Sequence, residues 1–210
     1  MSAMTKELTH RGLPAFLILA AMSVIAGCRD RGDATTTAPR ESAAATDTVA
    51  DKQSVPASDK RKAVAAKAKE ALFAELSGRL MEVLQSQGPA DAIDVCSQEA
   101  NQIASAVGQQ HGVEIGRTSF KLRNPANAPR DWVQPFVDKR IDTAQHVQLD
   151  SGKLGALFPI RLDVKCLMCH GQPDDILDEV KPELAKRYPD DAATGFKAGD
   201  LRGWFWVEVP

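Results

Sequence analysis

At Val113-Glu114-Ile115-Gly116-Arg117-Thr118-Ser119-Phe120 the chain changes period. Upstream of it, apolar residues recur every three or four positions. From it onward they alternate, between clusters of Gly, Pro, Asn and Asp. A 3.6-residue period marks a helix with one buried face, and a two-residue period marks a strand. Helices first and mostly strands afterwards, with only short helices between, predict a single α+β domain built on an antiparallel sheet.

Upstream, Ser58 is suited to an N-cap, and Leu72, Phe73, Leu76, Leu80, Val83 and Leu84 fall at helical spacing, predicting an amphipathic helix of about 25–30 residues. Gly88-Pro89 ends it and opens a second, with Pro89 fitting the first turn and Asp91 and Asp94 favourable near that end. Ala92, Ile93, Cys96, Ala100, Ile103 and Val107 share one face of that second helix, so Cys96 is expected to point into the core. Downstream, 123–129 reads as turns and 131–144 as a short helix confined by Pro135. Strands are expected at 145–149 and 154–162, either side of Asp150-Ser151-Gly152. A helix broken or restarted at Pro182 is expected over 174–187, and an aromatic, β-branched strand at 204–209 closes the order.

The N-terminal end reads differently. Residues 1–27 carry a weakly basic start, an apolar run of about fourteen residues, too short for a membrane span, and then Ile25-Ala26-Gly27-Cys28. That box resembles the bacterial lipoprotein signal, in which the cysteine is acylated and becomes the first mature residue. Lipidated Cys28 would hold the chain on the periplasmic side of a bacterial membrane, because several acyl chains bind lipid stably. Arg29 in the next position favours the outer membrane. Residues 28–58 are Ala, Thr, Ser and Asp without apolar period, and read as a disordered tether. The folded domain is expected over 59–210.

A net charge of −2 and the lack of a Lys/Arg block argue against nucleic acid. Four cysteines do not form a disulfide framework here, since Cys28 ends the signal, two lie in one motif and Cys96 is left alone.

That motif is Cys166-Leu167-Met168-Cys169-His170, the CxxCH spacing of covalent c-type haem attachment. Each thiol can add across a vinyl group to form a thioether, while the histidine supplies an axial ligand, so one covalent haem c is expected on Cys166 and Cys169 with His170 on the iron. The second axial position is open to Cys96, Met81, His111, His146 or Met168. Propionates require cationic partners, and Arg117, Lys121 and Arg123 are the candidates. The free ring nitrogen of His170 needs an acceptor, for which the Pro173 carbonyl is expected.

Four blocks carry a family resemblance: Ala92-Ile93-Asp94-Val95-Cys96-Ser97; the run from Arg117 to Pro129; Cys166-Leu167-Met168-Cys169-His170-Gly171; and the closing pair Tyr188-Pro189-Asp190-Asp191-Ala192 and Lys197-Ala198-Gly199-Asp200-Leu201-Arg202-Gly203. Together they resemble the PAS-like c-type haem domains found alone or fused to bacterial sensor kinases and chemoreceptors. The resemblance covers about 65–210, and implies a PAS-like sheet preceded by long helices, His170 as proximal ligand and Cys96 as distal ligand.

The expected role is a membrane-anchored haem protein in redox or small-ligand sensing or electron transfer, not an enzyme, with a redox or signalling protein as partner. No kinase, methyl-accepting or second haem segment comes after Pro210, which favours electron transfer or an accessory role over a fused sensor. Two other classes compete. A structural zinc module would use Cys96, Cys166, Cys169 and His170, and a haem peroxidase would need an open distal side with a positioned acid/base.

Overall fold

Residues 57–210 are described by the computed structural model; the signal segment, Cys28 and nearly all of the tether lie outside them. The first element, α1 (Ala57–Ser86), begins beside the expected cap Ser58. Its apolar stripe divides between two tasks. Ala65, Ala68 and Leu72 pack against Ala104, Val107, Phe205 and Val207 in the main core, the alanines letting the helix lie close to the sheet. Further along, Leu76, Leu80 and Leu84 remain partly accessible, and Phe73 is exposed.

The second helix is not continuous. It runs as α2 (Pro89–Asp94), a π-helical turn (Val95–Glu99) and α3 (Ala100–His111). A π turn inserts one residue into the helical period and rotates the face presented by every later residue of the helix. Ala100, Ala104 and Val107 are therefore the buried positions of α3. Ile103, expected in the core, is only half-buried. Cys96 lies inside the π turn and is likewise only part-buried, so it is not the core residue that straight periodicity implies. Gly112 ends α3 in a left-handed conformation at φ 65°, which a Cβ would strain.

The sheet has strand order β1-β4-β3-β2, formed by β1 (Glu114–Thr118), β2 (Gln145–Gln148), β3 (Leu154–Arg161) and β4 (Leu201–Val209). Every neighbouring pair is antiparallel, as the α+β reading requires. The last strand is thus central: β4 pairs Thr118 with Trp204 on one side and Leu157 with Trp206 on the other. The bulge at Ile160/Arg161 falls opposite Gly203. A Cβ on Gly203 would stand 2.2 Å from the Thr118 carbonyl oxygen, so only glycine allows β1 this close.

Two helices are shorter than the sequence suggests. In place of 131–144 there is α4 (Gln134–Asp138), and Arg140 just after it takes φ 49°. In place of 174–187, α6 (Val180–Arg187) starts late, with Pro182 in its first turn, where proline's missing N–H costs nothing. A single helical turn, α5 (Leu167–His170), carries most of the CxxCH stretch.

Candidate functional site

Cys166, Cys169 and His170 are positioned by local capping. The Asp163 side chain accepts from Lys165 N at 3.1 Å and its carbonyl accepts from Cys166 N at 2.9 Å, which starts the turn. Gly171 ends it, and a Cβ there would meet Asp175 Cβ at 2.5 Å. Opposite lies the loop before β4, where Gly195 N donates to Gly171 O at 2.7 Å and Phe196 N to His170 O at 3.1 Å.

That loop also orients the histidine. His170 Nδ1 stands 2.7 Å from Ala193 O, not at the expected Pro173 carbonyl. A carbonyl only accepts, so Nδ1 carries the proton and Nε2 keeps its lone pair. Phe196 meets the imidazole edge-on at 6.5 Å between ring centres. Burial, with help from Arg123 and Arg202, holds the His170 pKa well below its ordinary value, so the ring is neutral. Burial also raises both thiols, and Cys169 is pushed up to about 11.

These residues line a cavity of about 350 Å³. Its walls are mainly apolar, from Leu76, Leu80 and Leu84 of α1, Ile93 and Val95, and Ile160 and Phe205 of the sheet. The second half of the α1 apolar stripe is therefore largely a cavity wall. Cys96 lines the same space from the π turn. Met81 and Met168 line it too, whereas His111 and His146 do not.

The cationic candidates separate. Arg117 lines the cavity and is part-buried, and burial depresses its pKa. Arg123 lines the cavity but is committed: it pairs with Asp191 at 2.9 Å and donates to Cys169 O at 2.6 Å. Lys121 does not line it; its ammonium donates to Thr194 O at 3.0 Å and lies 5.0 Å above the Phe196 ring. Arg202, which sequence reasoning passed over although it stands in a motif block, takes its place. Burial lowers its pKa to about 10, and Arg123 and Arg117 add to the effect.

Cys96, Cys166, Cys169 and His170 share the cavity without converging. Among the described residues, no three His, Cys, Asp or Glu side chains are close enough to hold one metal ion, so the structural zinc site is not assembled. No helix there is long and apolar enough to cross a membrane.

The sequence pattern of the Tll0287-like family matches residues 33–210. This chain belongs to the Tll0287-like family. One solved structure, described as the cyanobacterial haem protein Tll0287, superposes with a TM-score of 0.52 at 22% identity, over 75% of this chain and 97% of that one. At that identity the likeness concerns the fold. No curated protein matches the chain. The family pattern extends upstream of α1 into the stretch read as tether.

Proposed function

We propose that this chain binds one haem, attached through thioethers at Cys166 and Cys169, with His170 and Cys96 as axial ligands. The single observation that carries the reading is the cavity itself: two tethering thiols, a neutral imidazole with its proton directed away on Nδ1, and a separate thiol in a π turn, all on one apolar space. Its chemistry fits the group. Apolar walls suit a macrocycle, and Arg117 and Arg202 crowd positive charge that carboxylates would relieve. The solved structure described as a haem protein supports the haem-binding part of this reading.

Bound here, an iron centre would supply one-electron chemistry, and a small ligand would bind where an axial residue leaves. The protein's share is to set its properties. Ala193 O fixes the His170 ring. A Cys96 thiolate favours the ferric state over the ferrous one, and the cavity charges partly offset that preference. We assign the chain to electron transfer or to redox or small-ligand sensing on the periplasmic side of a bacterial membrane, tethered by lipid at Cys28 and without catalytic turnover. Ligand sensing would result from loss of the Cys96 bond on reduction.

The test is an optical spectrum of oxidised and reduced protein from cells able to mature c-type cytochromes, comparing wild type, Cys96→Ala and Met81→Ala. A coloured product whose pigment stays on the denatured chain is expected, with the ferric spectrum altered by Cys96→Ala alone. A colourless protein refutes haem binding, and an unchanged Cys96→Ala spectrum removes that ligand.

A further inference from the structure

Tyr188 stands just after α6 and is the one tyrosine of the chain. Its ring packs with Ile93, Val180 and Leu184, is only 7% accessible, and lines the cavity. Its hydroxyl is buried without a hydrogen-bond partner among the described residues. Ser97 approaches closely enough to favour the ionised phenol, but the pair misses hydrogen-bond geometry. The Ser97 hydroxyl donates instead to Asp94 O at 3.3 Å. A buried, unpaired O–H is rare in a native fold and calls for a partner.

The surroundings indicate which partner. Burial holds the phenol pKa above its ordinary value, and the next influence on it is Cys96; Cys96 and Tyr188 in turn both act on Arg117. The fold sets them on one space: Ile93, packed with the Tyr188 ring, lies three residues before Cys96 in the same helical run, and the thiol, the unpartnered phenol and the Arg117 guanidinium all line the cavity. A neutral thiol gives a phenol only a weak acceptor, whereas a metal-bound thiolate gives a strong one.

On the haem reading above, we propose that Tyr188 is a positioning residue whose Oη–H donates to the Cys96 sulfur when that sulfur ligates the iron. The hydrogen bond draws electron density from the thiolate, weakens its donation to the metal and holds the sulfur in place. It therefore favours the ferrous state relative to an unbonded thiolate. No bond is made or broken and no proton is transferred.

The experiment uses the full haem-loaded chain and reads the iron–sulfur stretch by resonance Raman and the midpoint potential by spectroelectrochemistry. Tyr188→Phe removes the donor at nearly constant shape. The stretch rises, and the ferric-to-ferrous equilibrium moves toward ferric by about tenfold, which is 59 mV for a one-electron couple. Because Tyr188 is the one tyrosine, growth on 3-fluorotyrosine alters this side chain alone and makes its O–H a stronger donor. Both readouts then move the opposite way. If neither replacement shifts either readout while Cys96→Ala changes the spectrum, this inference fails and the ligand assignment stands. If Cys96→Ala changes nothing, the ligand assignment fails and takes this inference with it. Should Tyr188→Phe fail to accumulate, the fluorinated protein decides alone.

Discussion

Arg123 and Asp191 form an ion pair at 2.9 Å, with side chains only 6% and 11% accessible, at the head of a relay that ends on His170. The other Asp191 oxygen accepts from Ala193 N at 2.8 Å, and Ala193 O accepts from His170 Nδ1 at 2.7 Å. The same Arg123 Nη2 that meets Asp191 also donates to Cys169 O at 2.6 Å. One buried pair thereby fixes both the motif turn and the histidine ring.

Removing one member of this pair leaves an uncompensated buried charge. Asp191→Ala is expected to cost about 3–5 kcal/mol in urea unfolding, and Arg123→Met with Asp191→Leu together less than Asp191→Ala alone. A loss below about 1 kcal/mol for Asp191→Ala would show that the pair is not structural.

Charge inside the cavity should tune the iron, and charge outside it should not. Arg117→Gln is expected to lower the midpoint potential, because a nearby cation favours the ferrous state. Lys121→Gln should leave it almost unmoved, since that ammonium is held by Thr194 O. Equal shifts in the two variants would return Lys121 to the site.

Gly203→Ala places a Cβ against the Thr118 carbonyl in the centre of the sheet. Backbone cannot yield as a flexible side chain does, so a loss of about 2–4 kcal/mol is expected from thermal or urea denaturation. Gly78→Ala, on α1 with open space around it, should be neutral or stabilising by up to about 1 kcal/mol.

In the haem-free chain the Cys169 thiol should be unusually slow to alkylate. Burial raises its pKa to about 11, and only the thiolate is nucleophilic. The thiolate fraction is therefore small at pH 8, and the rate should keep climbing beyond pH 9, where an ordinary thiol levels off. Iodoacetamide labelling mapped to the Cys169 peptide measures this; a plateau near pH 9 would contradict it.

Much of the fold is legible in the order of residues. The change of period at 113–120 separates helices from strands, and Gly88-Pro89 and Asp150-Ser151-Gly152 mark breaks that the structure keeps. Helix extents are less legible: Pro135, Arg140 and the turns before Val180 shorten two helices by tertiary context. The CxxCH turn is visible because its chemistry depends on local spacing alone. The chain itself thus determines an α+β domain, the paired thiols with their histidine, and a lone cysteine upstream. Only the tertiary structure decides where that cysteine stands. Periodicity puts Cys96 on the face of Ala92, Ile93 and Ala100, but that this face borders a cavity and not packed core, and that an extra residue in the π turn shifts the register beyond it, follows from packing that periodicity cannot report. Likewise Ala193 O, Arg202 and Tyr188 reach the site through contacts across long stretches of chain, where no local pattern carries a signal.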